Sequence, residues 1–415
     1  MTLTKADQER LGIEVGRVFT PAAPINETAL FSGRRDQVRR VIDGINQRGQ
    51  HVIIFGERGV GKTSLANVLT GYLKTVTLAP RVNCDGADDY ASIWRKVFSE
   101  IELTKKTKAV GFVTTEATET QVLSQTLPKK ITPELVRQSL TLIGGQVQLI
   151  VVIDEFDRLP EGPVRRLFAD TIKTLSDHSI PVTLVVVGVA DTVDTLIAEH
   201  QSIERALVQV QMPRMSRQEL EEIITKGLDR LKMAVNDDAL RRIALLSQGL
   251  PHYTHLLGLH AAREAIDHGE ERVSLDHVTA AIQKALTQAQ QTIRGAYHKA
   301  TTSPRKETLY AKVLLACALA ESDELGYFAA ADVRDPITHI MKKKYEIPSF
   351  ARHLNHFCDE VRGRVLQKTG MKHRFRFRFV NPLLQPFVIM QGLADGLITG
   401  AALEQTASPG ERKKD

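Results

Sequence analysis

The segment Gly56-Glu57-Arg58-Gly59-Val60-Gly61-Lys62-Thr63, continued by Ser64, joins three glycines to a lysine and a hydroxyl at fixed spacing. Glycines let consecutive backbone N–H groups wrap phosphate oxygens. A lysine directly after the last of them reaches the β and γ oxygens of a nucleoside triphosphate, and the hydroxyl that follows can ligate magnesium. Downstream, the run Leu149-Ile150-Val151-Val152-Ile153-Asp154-Glu155-Phe156 carries a second signal. An apolar stretch ends there in two adjacent carboxylates, and hydrolysis has a use for each: Asp154 to orient metal-bound water, Glu155 to take a proton from the attacking water. These residues predict binding of ATP with Mg2+ and its hydrolysis. Lys62 and Glu155 would be catalytic, Thr63 and Asp154 would face the metal, and Gly56 through Ser64 would cradle the nucleotide.

For those side chains to meet, they must lie at the carboxyl ends of parallel strands, where open parallel sheets hold their ligands. The flanking sequence fits. Residues 51–55 are an apolar run directly before the glycines, and Ser64 to Leu69 is compatible with a helix whose N-terminus adds positive potential. From about Arg34 to Met212 short apolar runs, including 181–189, alternate with helical patterning, the signature of a parallel sheet with crossover helices. Residues 104–131, rich in Lys, Thr and Gln without a period, read as a surface excursion. After Pro213 the strand signals stop. Ser216 followed by Glu219 spells a capping box, and helical segments at 237–248, 251–268 and a long one after Ser274 complete a lid. Residues 301–304 mark a boundary. Beyond it come a helix, a turn-rich segment, a helix after Pro348, two strand-like runs and a final helix, an order that suits a winged helix. The expected fold is α/β, a P-loop parallel-sheet core with a helical lid, followed by an α+β winged-helix domain. Its expected boundaries are an extended lead-in over 1–30, the core over 31–215, the lid over 216–300, the winged helix over 301–395 and a disordered polar tail over 396–415.

The bulk properties narrow the setting. A chain of 415 residues is long enough for two or three packed domains. It contains no apolar run of about 18 residues, and its first residues lack the order of a secretory leader, so a cytoplasmic protein without a membrane partner is expected. Cys84, Cys317 and Cys358 stand far apart, without metal-ligand spacing. The net charge of +6 admits a polyanionic partner without choosing one. The placement of the charge is more telling. In His373-Arg374-Phe375-Arg376-Phe377-Arg378-Phe379, strand alternation puts the three phenylalanines on one face and Arg374, Arg376 and Arg378 on the other. With Arg362, Arg364, Lys368 and Lys372 on the preceding strand and turn, this hairpin makes a positive wing able to contact phosphates. Ahead of it, Phe350, Leu354 and Phe357 share one helical face, leaving Arg352, His353, Asn355 and His356 exposed, where a recognition helix meets base edges. Double-stranded DNA is the expected partner, although a winged helix can equally serve protein contacts.

On Gly56 to Thr63, on Asp154-Glu155-Phe156-Asp157, on Gly33-Arg34-Arg35-Asp36 ahead of the first strand, and on the winged-helix ending, the chain resembles the AAA+ ATPases. Within them it is similar to the origin-recognition and cell-division-control initiator group over residues 30 to 390. The resemblance implies that Gly33 and Arg34 lie near the adenine, that Asp191 or Thr192 acts as first sensor, that Arg205 approaches a neighbouring subunit's nucleotide, and that the protein self-associates. Arg205 keeps a second reading from its own surroundings, as a surface residue paired with Glu204. The pattern departs from the initiators twice. They typically carry Asn at the first sensor, where this chain reads Gly188-Val189-Ala190-Asp191-Thr192. The lid reads Gly249-Leu250-Pro251-His252, close to the Gly-x-Pro turn of the signal-transduction ATPases with numerous domains (STAND), which puts Pro251 or His252 at the base and offers no second-sensor Arg. Two functions follow. One is a DNA-bound ATPase of replication, transposition or mobile-element control; the other is a STAND-like signalling or defence switch whose winged helix contacts protein.

Overall fold

A computed structural model describes residues 3–21, 23, 33–73, 77–107, 117–122, 127–144, 148–190, 193–197, 201–303, 309–371 and 374–406. It divides into two compact units. One comprises Arg34–Gly56 and Lys62–Met212; the other comprises Met1–Gly33, Glu57–Gly61 and Pro213–Asp415.

The first unit carries strands β1 (His51–Gly56), β2 (Arg81–Asn83), β3 (Glu102–Thr107), β4 (Ala117–Val122), β5 (Leu149–Asp154), β6 (Val182–Val189) and β7 (Leu207–Gln211). Five of them form one parallel sheet in the order β2-β5-β6-β1-β7. Every residue of β1 and β5 is buried, as strands covered on both faces require. The helices Lys62–Leu73, Tyr90–Ser99, Pro133–Gly144 and Pro163–Asp177 make the crossovers. Under them lies a core that includes Trp94, Phe98, Phe156 and Phe168. Phe156 meets Phe168 edge-on at 5.1 Å, and Trp94 stacks on Phe168 at 6.1 Å. Each such ring contributes about 1.5–3 kcal/mol by burial. Because Phe156 directly follows Glu155, this packing also fixes the acidic turn after β5. In the expected excursion, β3 and β4 pair antiparallel from Glu102↔Val122 to Thr107↔Ala117, and residues 108–116 and 123–126 lie outside the described residues.

The second unit differs from expectation at both ends. The lead-in contains a helix, Lys5–Val18: Thr4 accepts the N–H of Asp7 at 3.2 Å, Asp7 accepts the N–H of Thr4 at 3.4 Å, and Leu11, Val15 and Val18 bury one stripe. Pro21 lies beyond its C-terminus and so does not interrupt it. The expected tail contains the helix Gly400–Thr406, held by buried Leu403 and by Glu404, which meets Arg242 at 2.8 Å. Between them, Ser216 and Glu219 form the capping box read from sequence, with bonds of 3.3 and 2.8 Å. The lid helices are Arg217–Arg230, Asp237–Ser247, Pro251–Asp267 and Leu275–Gln288, and the short strands β8 (Ala234–Val235) and β9 (Arg272–Val273) pair parallel beside them. The long helix expected after Ser274 stops at Gln288, and a second, Gln291–Thr301, follows. Then come the helix Tyr310–Leu319, β10 (Phe328–Ala329), the helices Arg334–Met341 and Ile347–Phe357, β11 (Leu366–Thr369), β12 (Arg376–Phe379) and the helix Leu384–Ala394. The three strands pair antiparallel in the order β10-β12-β11, with Phe377 and Phe379 buried beneath, so this region is a winged helix. Among the described residues, no helix is long and apolar enough to cross a membrane.

Candidate functional site

In the sheet unit the candidate residues gather where β1 and β5 end. Gly56, with φ 152°, closes β1. A Cβ there would lie 2.4 Å from the Met212 carbonyl oxygen, so the chain can turn here only with glycine. The Lys62 ammonium donates to the Gly56 carbonyl at 3.0 Å, which holds this buried lysine over the turn at the start of the helix Lys62–Leu73. Thr63 follows, its hydroxyl 3.5 Å from Asp154 Oδ1. Asp154 also accepts the Glu155 N–H through Oδ1 at 2.8 Å and meets Arg81 Nη2 through Oδ2 at 2.7 Å, with its side chain only 3% exposed. Glu155 occupies the left-handed region at φ 56°, an unfavourable conformation for a residue with a side chain, and its carboxylate meets Arg158 at 3.2 Å. Asp157 accepts the Val189 N–H at 2.7 Å and so ties the turn after β5 to the end of β6.

The set fits a magnesium nucleotide. A buried lysine opens a helix, and a hydroxyl and a carboxyl lie side by side. Among the described residues, no group of three His, Cys, Asp or Glu side chains gathers to hold a metal alone. Magnesium sites of this kind complete their octahedra with water and phosphate. The thiols offer no nucleophile near neutral pH: burial pushes Cys84 up to about 12 and Cys358 up to about 11, and raises Cys317 still further.

Residues 57–61 belong with the helical unit, and their surroundings there were not legible in the sequence. Glu57 is buried and paired with Arg214, Nε to Oε2 at 2.7 Å and Nη2 to Oε1 at 3.3 Å. Arg214 reaches on to Gln385 at 2.7 Å and to the Gln248 carbonyl at 3.4 Å. A Cβ on Gly326 would lie 2.7 Å from both members of the ion pair. Arg58 is exposed and Val60 buried. Pro251 stands next to the loop, its Cγ 3.9 Å from where a Cβ of Gly61 would be. His252 meets the Pro21 carbonyl at 2.8 Å, and its pKa is lowered chiefly by burial. A Cβ on Gly33 would collide with Glu219. In the sheet unit, Arg34 is buried at φ 63°, capping the helix Arg35–Asn46, and Ser64 is half-buried. Arg205 precedes β7, its side chain 82% exposed; its ion pair is with Asp177, at 3.8 Å, rather than with Glu204. Asp191 and Thr192 lie outside the described residues.

The winged helix rearranges the expected DNA face. Phe350, Leu354 and Phe357 are buried, and Arg352 and Asn355 are exposed, as the periodicity requires. His353 and His356, expected in solvent, are half-buried. His353 packs against the Tyr310 ring at 4.8 Å, and His356 Nδ1 shares a 2.7 Å hydrogen bond with the Tyr310 hydroxyl. Arg362 lies in a turn ahead of β11, where it caps the same ring at 3.7 Å and donates to the carbonyls of Ala300 and Thr302. Arg376 pairs with Asp323 at 2.9 Å, Arg378 lies 4.7 Å from the centre of the Tyr327 ring, and Lys368 lies 3.7 Å from that of Phe375. Arg364 and Arg374 are exposed, the former 3.8 Å from Glu360. Lys372 lies outside the described residues.

A parallel sheet with a phosphate loop after β1 and paired acids after β5, followed by a helical lid and a winged helix, makes this a P-loop protein of the AAA+ class. More narrowly, the chain belongs to the novel STAND NTPase 1 family (nSTAND1), whose family model matches residues 23–325. No curated protein matches it. Among solved structures, a Walker-type ATPase of Pyrococcus abyssi aligns at 15% identity over 89% of this chain and 99% of that one, with a TM-score of 0.50. Cdc6p from Pyrobaculum aerophilum aligns at 13% identity over 92% and 99%, with a TM-score of 0.47. The Aeropyrum pernix Orc1 protein, solved in complex with DNA, aligns at 15% identity over 92% and 97%, with a TM-score of 0.48. At 15% identity the likeness to the Pyrococcus abyssi ATPase concerns the fold alone.

Proposed function

We propose that this protein binds ATP with Mg2+, hydrolyses it, and uses its nucleotide state to govern self-association and its hold on double-stranded DNA. The observation that carries the reading is the meeting of Thr63 with Asp154 at the end of β5, with Lys62 and Glu155 each one residue away. Lys62 would exchange the Gly56 carbonyl for phosphate oxygens. Thr63 and Asp154 would hold magnesium, which supplies charge neutralisation when bound. Glu155 would take the proton from the attacking water, its place set by the left-handed turn and by buried Phe156. Arg205, exposed and held by one long ion pair, is suited to reach a neighbouring copy. Replacing Lys62 by Ala tests the binding step: calorimetric titration should show ATP affinity lost in the variant, and undiminished affinity would refute the assignment.

For DNA the exposed Arg352, Arg364 and Arg374 are the residues of choice. Filter binding over a salt series, with and without ATP, should show a steep loss of duplex affinity with salt, and each of these three residues changed to Ala should reduce the slope by about one. A specific observation favours a second reading, a STAND signalling switch whose winged helix contacts protein: Arg362, Arg376, Arg378 and Lys368 are already engaged within their own domain. A chain without duplex affinity at low salt would select that reading.

A further inference from the structure

We infer that Arg81 is a positioning residue for the metal-side carboxylate, clamping one oxygen of Asp154 so that the other is presented beside Thr63. The inference rests on the reading of Asp154 given above. β2 is a three-residue edge strand whose register on β5 sets Arg81 beside Val152, Val82 beside Ile153 and Asn83 beside Asp154. Val82 turns into the core, so alternation puts Arg81 on the opposite face, together with Asn83 and Asp154. From two residues back along the strand, a long side chain is what reaches the carboxylate.

The two oxygens of Asp154 are divided between partners. Oδ1 takes the Glu155 N–H and lies next to the Thr63 hydroxyl, while Oδ2 is held by Arg81 Nη2 at 2.7 Å. With its side chain 3% exposed, this carboxylate has almost no water to balance it. Arg81 thus supplies both the compensating charge and the rotational stop. Its Nε is buried with no partner among the described residues, so the contact with Asp154 is what holds the guanidinium in place. Were Oδ2 released, the carboxyl could rotate and present either oxygen, or neither, toward Thr63. Partners that orient a metal-side group commonly set its affinity by roughly 10- to 100-fold.

The test uses Mn2+ as a spin-visible probe, titrated into the full chain saturated with a non-hydrolysable ATP analogue, free Mn2+ being read by electron paramagnetic resonance. Asp154→Asn serves as the reference and should lose Mn2+ affinity. Arg81→Ala should weaken Mn2+ binding by roughly 10-fold or more, Arg81→Lys should recover most of the loss, and analogue affinity in EDTA should be unchanged in both. If Asp154→Asn weakens Mn2+ but Arg81→Ala binds it as well as the parent or better, the positioning role is refuted while the reading of the site stands. If Asp154→Asn binds Mn2+ normally, the reading of Asp154 itself fails.

Discussion

At the scale of single residues, three acids of the candidate site and its loop meet basic side chains: Asp154 meets Arg81, Glu155 meets Arg158 and Glu57 meets Arg214. Lys62, Thr63, Asp154 and Glu155 were legible because phosphate and metal chemistry demand those types next to a strand end. Arg81, Arg158 and Arg214 were not, since each is one basic residue among many until the fold brings it to a particular acid. The Glu57–Arg214 pair is the clearest case. Its side chains are 3% and 10% exposed, and it joins a phosphate-loop residue to Gln385 in the final helix of the winged-helix domain. Arg214→Ala removes the ion-pair partner of a buried carboxylate and should destabilise the helical unit by about 3–5 kcal/mol in denaturant titration. A loss below about 1 kcal/mol would mean that water reaches Glu57 freely. Asp157 carried a signal that could have been used, as the last acid of its motif. What the sequence lacked was its partner, a backbone N–H at the end of another strand.

At the scale of elements, patterns that depend on local spacing were readable and those that depend on a distant surface were not. Mostly apolar runs marked β1, β5 and β6, the Ser216–Glu219 box marked a helix start, and Phe-Arg alternation marked β12. Ser216→Ala should therefore cost about 0.5–2 kcal/mol, measurable as a lowered unfolding midpoint. The helix Lys5–Val18 was not legible because its Thr4–Asp7 capping box stands close to Pro21 and Pro24, which signal extended chain, and the half-burial of His353 and His356 was not because Tyr310 arrives from another helix. β1 also carries a pH consequence. Burial pushes His51 down to about 4, and its Nδ1 accepts the Leu184 N–H at 3.0 Å, a bond that protonation would break. The unfolded chain binds that proton near pH 6.5. Stability from this group is therefore complete above that value and lost as the pH falls toward 4, by about 3 kcal/mol. His255, pushed down to about 4 by burial in the other unit, adds a loss of the same sign there. Urea midpoints recorded from pH 7 to pH 4 should fall over this window, and His51→Asn should flatten the decline of the sheet unit; an equally steep decline would shift the cause elsewhere.

At the scale of the whole molecule, the succession of sheet, lid and winged helix was legible because each class of element has its own period: the sheet pattern gives way to helices near Pro213, and strand alternation returns in the runs that became β11 and β12. The grouping of Glu57–Gly61 with the helical unit was not, because it follows from long-range packing. If Arg205 acts on a neighbouring copy, then Arg205→Ala should lower turnover in a manner that mixing with a Lys62→Ala chain partly restores, and turnover by the parent should fall on dilution. Rates proportional to protein concentration throughout would place the complete site in one chain. Lys62, Thr63, Asp154 and Glu155 are proposed to make a hydrolytic ATP site rather than a binding site alone. This is tested most directly by parallel measurement of ATP affinity and steady-state turnover in the parent and in Glu155→Gln. Both should bind ATP with Mg2+ to the same extent while the variant loses at least about 100-fold in rate. A variant that hydrolyses at the parent's rate, or a parent that binds no ATP, would contradict it.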